Sequence, residues 1–175
     1  GSCRATDNVT ITTVPYPVAD AGPPQIICYN TSAQLNGSHD GLSFSWSPVS
    51  YLNDPTILSP VSSPPRTTQY ILSSLDNKGC PKPGRDTVLI TVNPRVRAFA
   101  GRDTTVIVGQ PLRFGGTGGV NYVWRPSSYL SNPNIANPIG VYGSEVDSIR
   151  YKLVVTDAAG CPDSATVKVT VFKTN

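Results

Sequence analysis

The sequence has no methionine, one histidine and one glutamate, and no apolar run near the ~20 residues that a membrane-spanning helix needs. Each shortage removes a class of function. Nucleophilic catalysis requires a serine or cysteine held beside a base; the single histidine, His39, stands in Gly37-Ser38-His39-Asp40-Gly41 with no nucleophile motif near it. That stretch reads as an exposed turn. No Cys-x-x-Cys spacing exists and His39 is distant in sequence from all four cysteines, so no zinc site is expected. Asp20, Asp76 and Asp157 lack the Asp-x-Asp-x-Asp array of a calcium loop and read as turn formers. No catalytic residue, metal or cofactor is therefore expected. The net charge of +3 is scattered, and the one local concentration, Arg95, Arg97, Arg102 and Arg113, reads as a solvated strand face. Without aromatic interleaving it gives no nucleic-acid partner, and no membrane insertion is expected.

What the sequence has in quantity is proline and glycine, seventeen and fifteen residues, among many Ser, Thr, Val and Asn. Both interrupt helical hydrogen bonding, so short strands joined by turns are favoured. Internal repetition sets the organisation. Phe44-Ser45-Trp46-Ser47-Pro48-Val49-Ser50-Tyr51-Leu52 returns as Tyr122-Val123-Trp124-Arg125-Pro126-Ser127-Ser128-Tyr129-Leu130. Tyr70, Leu72, Asp76, Gly79, Cys80 and Pro81 recur as Tyr151, Leu153, Asp157, Gly160, Cys161 and Pro162, and Ala21-Gly22 as Ala100-Gly101. Domain one is placed at 15–93 and domain two at 94–175, with stiff Pro-containing junctions. Val96 is expected to open the first strand of domain two.

Residues 1–14 are assigned to a remnant and a borrowed strand. Gly1 and Ser2 read as a cloning remnant. Cys3 and Asp7 to Thr12 match Cys80 and Asp86 to Thr91, the last strand of a preceding repeat. Val9 to Val14 is apolar on alternate positions, so this strand is expected to pair with a sheet edge, within the chain or between chains. Self-association through it is one expected partnership; the neighbouring repeats of the same polypeptide are the other.

Strand patterning sets the class. Val167, Val169 and Val171 alternate with Lys168, Thr170 and Phe172, and Tyr151, Leu153 and Val155 with Lys152, Val154 and Thr156. The turns between such strands are read at Thr156 to Gly160 and at Asp76-Asn77-Lys78-Gly79. An all-β fold of tandem immunoglobulin-like β-sandwiches follows, with Trp46, Trp124, Tyr70 and Tyr151 in the cores. The Ala-Gly opening, the aromatic-x-Trp-x-Pro segment, the Ser-Tyr-Leu that follows it, the Asn-Pro or Asp-Pro loop and the closing Gly-Cys resemble the PKD-like and immunoglobulin-like repeats of gliding-motility-associated surface proteins and adhesins. That resemblance implies type IX secretion and display on the cell surface, in a non-enzymatic stalk or fibre. The Trp-Asp-Phe-Gly sequence of many PKD domains is absent.

Among the cysteines, Cys28 on an early strand and Cys80 at the start of the last hairpin strand are expected to bond, closing a loop of about 52 residues worth roughly 4 kcal/mol. Ile107 occupies the position of Cys28 in domain two, so Cys161 and Cys3 are expected to be unpaired or to bond between molecules. Asp86-Thr87, Asp103-Thr104, Asp147-Ser148 and Asp163-Ser164, each followed by Val, Thr, Ile or Ala, are similar to bacterial O-glycan acceptors at Thr87, Thr104, Ser148 and Ser164. The competing reading is that Asp-Thr simply begins strands. The rival function is a carbohydrate-binding module of a secreted glycoside hydrolase, for which Tyr51 and Tyr129 are the plausible exposed pair. Surface glycans are the partner this second reading implies.

Overall fold

The computed structural model describes residue 1, residues 3–77 and residues 82–173. Its described backbone is strand, turn and bend without helix, and it divides into two units, Gly1–Val92 and Asn93–Asn175. Each unit is an immunoglobulin-like β-sandwich.

Unit one contains β1 (Ala19–Asp20), β2 (Gln25–Ile27), β3 (Ala33–Gln34), β4 (Ser38–His39), β5 (Ser43–Ser47), β6 (Val61–Ser62), β7 (Thr68–Leu75) and β8 (Gly84–Val92). One layer is the sheet β2-β8-β7-β5, antiparallel except where β2 runs parallel to β8. The other is built from the short pairs β1–β4 and β3–β6, extended where Leu35 N–H donates to the Pro60 carbonyl and Gly37 N–H to that of Leu58. Period-two alternation turns Tyr70 and Leu72 of β7, Val88 and Ile90 of β8, and Trp46 of β5 inward, where all are buried.

Unit two repeats the plan with β9 (Thr104–Ile107), β10 (Leu112–Arg113), β11 (Asn121–Arg125), β12 (Ile139–Gly140), β13 (Ser148–Thr156) and β14 (Pro162–Phe172). Its sheet is ordered β11-β13-β14-β9, with β9 parallel to β14. Trp124, Tyr151, Leu153, Val155, Val167 and Val169 form the centre of its core, each no more than 1% exposed. Truncating either tryptophan to alanine in such a setting costs about 3–5 kcal/mol.

Three local expectations, and the within-chain alternative of a fourth, are corrected here. Residues 3–14 form no strand within the chain, and Val9 and Ile11 are 81% and 85% exposed. Their counterparts by alternation, Val88 and Ile90, are buried because a second layer covers them. Val96 starts no strand; the first pairing of unit two is the bridge between Phe99 and Thr117. His39 is a half-buried strand residue opposite Ala19, its ring 5.1 Å from that of Phe44, instead of an exposed turn residue. Cys161 is buried and disulfide-bonded. Of the two alternatives expected for it, unpaired or bonded between molecules, the first is excluded; the lack of a cysteine at position 107 does not prevent the bond, which does not use that position. Cys28 is also disulfide-bonded, whereas Cys80 lies outside the described residues, as do Lys78 and Gly79 of the turn expected there. Cys3 is free and exposed.

Candidate functional site

The segment that follows each tryptophan strand is the most highly determined part of both units. It leaves β5 or β11 through a cis peptide, Ser47-Pro48 or Arg125-Pro126, and reaches a tyrosine in the left-handed region, Tyr51 with φ 67° or Tyr129 with φ 66°. A buried tyrosine of the central strand fixes the turn from inside. Tyr70 Oη donates to the Ser50 carbonyl at 3.0 Å, and Tyr151 Oη to the Ser128 carbonyl at 2.8 Å. The loop is then laid against the next strand by matching bonds, Ser63 N–H to the Tyr51 carbonyl and Val141 N–H to that of Tyr129. Burial pushes the titration of Tyr70 and Tyr151 upward, so both hydroxyls stay protonated donors.

A glycine in each unit makes room for the indole. A Cβ built on Gly37 would stand 2.8 Å from Trp46 Cζ2 and 2.6 Å from the Leu58 carbonyl; on Gly116 it would stand 3.0 Å from both Trp124 Cζ2 and the Ala136 carbonyl. Their recurrence 79 positions apart is the sequence signal that identifies them. The indoles themselves differ. Trp124 Nε1 donates to the Ile135 carbonyl at 2.9 Å, while Trp46 Nε1 is buried with no partner.

A second exchange replaces a hydroxyl. In unit one buried Ser62 donates to Tyr70 Oη at 2.9 Å. Gly140 takes the position of Ser62, both pairing with the strand after the first turn. A Cβ there would lie 2.5 Å from the Tyr142 hydroxyl, so the missing side chain is the space into which Tyr142 reaches. Tyr142 is 1% exposed, its hydroxyl has no hydrogen bond of good geometry, and it faces Tyr151; burial raises its titration as well.

The expected carbohydrate pair, Tyr51 and Tyr129, is 48% and 41% exposed. Tyr129 is turned against Tyr142, with ring centroids 5.7 Å apart. Thr87, Ser148 and Ser164 are exposed and Thr104 is half-buried. All four preceding aspartates have structural partners. Asp86 accepts the Ala21 N–H and Asp163 that of Ala98, both at 2.8 Å; Asp103 accepts the Lys168 N–H at 2.8 Å; Asp147 pairs with Lys173 at 2.7 Å. The Ala98 N–H, first, holds the Asp163 carboxyl below its ordinary range, and Lys173 does the same for Asp147. Of the turn aspartates, Asp20 accepts the Gly22 N–H and Asp157 those of Ala159 and Cys161. Among the described residues no three His, Cys, Asp or Glu side chains gather. Arg95, Arg97, Arg102 and Arg113 are exposed. Sequence reasoning missed a different set, Arg125, Arg150, Lys152 and Lys168, which register places on one sheet face.

No protein-family model matches the chain, and no curated protein matches it. Solved structures similar in fold include DIP-gamma IG1+IG2, at 12% identity and TM-score 0.45, covering 90% of this chain and 98% of that one. The Drosophila N-cadherin EC1-4 structure is similar at 11% identity and TM-score 0.46, covering 92% of this chain and 50% of that one. Protocadherin Gamma B7 extracellular cadherin domains 1-4 align at 14% identity and TM-score 0.40, covering 91% and 51%. The chain thus spans about half the length of both cadherin structures, and all three likenesses concern fold alone.

Proposed function

We propose that the chain is a non-enzymatic structural and adhesive repeat module of a larger extracellular, cell-surface protein, its sandwiches following one another as a stiff stalk. The observation that carries this reading is what the two repeats have in common. The tryptophan, the glycine beneath it, the left-handed tyrosine and the buried tyrosine donating to the loop recur with matching geometry. The retained features are those that hold a sandwich closed against extension, as a load-bearing array requires. The motif resemblance supports a gliding-bacterial parent exported by type IX secretion, with O-glycans on exposed Thr87, Ser148 and Ser164. Strand addition by Val9 to Val14 to another molecule is the self-association this reading includes, since those residues are exposed. Small-angle scattering of the chain tests the stalk: an elongated particle is expected, and a compact globule overturns it.

The exposure of Tyr51 and Tyr129 favours a second reading, carbohydrate binding through these rings. A neutral-glycan array decides it. Saturable binding lost in Tyr51→Ala and Tyr129→Ala establishes that reading, and no binding removes it.

A further inference from the structure

We infer that the exposed face of the four-stranded sheet in unit two is a binding surface for an acidic polysaccharide, a linear chain bearing sulfate or carboxylate groups. Inward-facing Trp124, Tyr151, Leu153, Val167 and Val169 are buried, so the alternate residues of the same strands share the opposite face. On that face Arg125 of β11 stands directly across from Lys152 of β13, and Arg150 of β13 across from Lys168 of β14. All four are exposed. Residues opposite one another have Cβ atoms ~5 Å apart, and Arg150 and Lys152, two apart on one strand, are separated by roughly 7 Å. Four cations from three strands thus form a staggered lattice that steps from Arg125 to Lys152, along β13 to Arg150, and across to Lys168.

Among the described residues none of these cations is held in an ion pair; the pair found there is Lys173 with Asp147. The carboxylate within these strands, Asp163, alternates to the inner side and is held by the Ala98 N–H. Asp103, at the edge beside β14, accepts the backbone N–H of Lys168.

The duplication shows that the fold does not need these charges. Arg125 and Ser47 both follow the core tryptophan; Arg150 and Lys152 flank Tyr151 as Gln69 and Ile71 flank Tyr70; Lys168 lies between Val167 and Val169 as Leu89 lies between Val88 and Ile90. Register makes the equivalence strict, because Ser47 pairs with Ile71 and Gln69 with Leu89. The same sheet therefore forms in unit one with four uncharged residues. Like charges placed directly opposite one another destabilise a sheet, so this lattice costs stability and calls for an anionic ligand.

The chemistry of the face selects the ligand class. The exposed aromatic on this face, Phe172, lies beyond Thr170 at the end of β14, so no aromatic stands between the cations to form the run of stacking platforms that single-stranded nucleic acids use. The face is an open sheet, suited to an extended chain. Exposed Ser164, Thr166 and Thr170 lie between and beside the cations and can hydrogen-bond the sugar hydroxyls that separate the anionic groups.

The inference deepens the adhesive reading by naming a ligand, yet the stalk is tested separately by scattering, so either can fail alone. Binding of the whole chain is measured to heparin as the sulfated probe and polygalacturonate as the carboxylated one, with dextran, duplex DNA and phosphatidylserine vesicles beside them. The expected result is salt-sensitive binding to at least one acidic polysaccharide, and none to dextran. The fourfold variant Arg125→Gln, Arg150→Gln, Lys152→Gln, Lys168→Gln weakens it tenfold or more without lowering the melting temperature. The charge-matched control Arg95→Gln, Arg97→Gln, Arg102→Gln, Arg113→Gln weakens it less than threefold. The pairs Arg125→Gln with Lys152→Gln and Arg150→Gln with Lys168→Gln give intermediate losses, and they carry the test if the fourfold variant does not fold. Equal weakening by face and control variants, absence of binding to both acidic polysaccharides, or equal retention by DNA or vesicles overturns the inference.

Discussion

Tyr151 donates from the middle of β13 to the carbonyl of Ser128, a residue 23 positions earlier, at 2.8 Å. One hydroxyl thereby fixes the loop that carries Tyr129 in its left-handed conformation, which is costly for a bulky residue unless its surroundings impose it. Removing the hydroxyl leaves the carbonyl unpaired in a part-buried site. Tyr151→Phe is expected to cost about 1–2 kcal/mol, and Tyr70→Phe, which also strands the Ser62 hydroxyl, at least as much. Hydrogen-exchange mass spectrometry checks this through faster exchange in 127–131 for the first variant and 49–53 for the second. Unchanged protection in both would mean that the loops hold themselves.

The exchange of Ser62 for Gly140 and Tyr142 predicts a coupling. Gly140→Ser drives a Cβ to within 2.5 Å of the Tyr142 hydroxyl, and overpacking of this kind costs about 1–3 kcal/mol. Tyr142→Phe removes a buried hydroxyl that has no good partner and is expected to be close to neutral. The double variant places a serine beneath the central tyrosine, as Ser62 stands in unit one, and removes the hydroxyl it would meet. Its stability should exceed that of Gly140→Ser by about 1 kcal/mol or more, a favourable interaction in a double-mutant cycle. Additive losses in chemical denaturation would sink the equivalence.

The parts of the fold readable in the sequence are those in which one residue type does one local job. Trp46 and Trp124, Tyr70 and Tyr151, and the Ser-Tyr-Leu segment recur because the core of each repeat needs them, and alternation around Tyr151 and Val167 marks which side faces inward. What could not be read depends on pairing across long separations. Arg95, Arg97, Arg102 and Arg113 look dense because they are close in sequence, whereas Arg125, Arg150, Lys152 and Lys168 look scattered until strand register assembles them. Gly37 suggested a turn, although its position is set by the indole above it. His39 suggested solvent for the same reason, and only the pairing of β4 with β1 shows otherwise.

The two tryptophans occupy equivalent sites with unequal hydrogen bonding, so the same substitution should have unequal effects. Trp124→Phe removes a bond to the Ile135 carbonyl, and Trp46→Phe removes an N–H that is buried without a partner. Both lose ring area. The difference, Trp124→Phe being the more damaging by about 1–2 kcal/mol, isolates the indole N–H. Each unit has one tryptophan, so each variant leaves a single fluorophore to report the other unit as an internal standard. Calorimetric transitions shifted equally by the two substitutions would refute the assignment.

Acid should loosen unit two through Asp163. Its carboxylate accepts the Ala98 N–H and thereby ties the start of the unit to β14, and this bond lowers its pKa in the folded state, with a smaller contribution from Arg95. A carboxyl with a lowered folded pKa binds protons more readily when the chain unfolds. Its contribution is therefore complete above the unfolded value of about 3.9 and is lost as the pH falls through the lower folded value. Asp147, held by Lys173, adds to the same slope. Asp163→Asn keeps an acceptor oxygen but no titration, so its stability at neutral pH should be lower and its decline between about pH 5 and pH 2 shallower. Urea midpoints measured across that range for the wild type, Asp163→Asn and Asp147→Asn give the comparison. An Asp163→Asn midpoint that falls as steeply as the wild type's would show that the tie to Ala98 is not what acid releases.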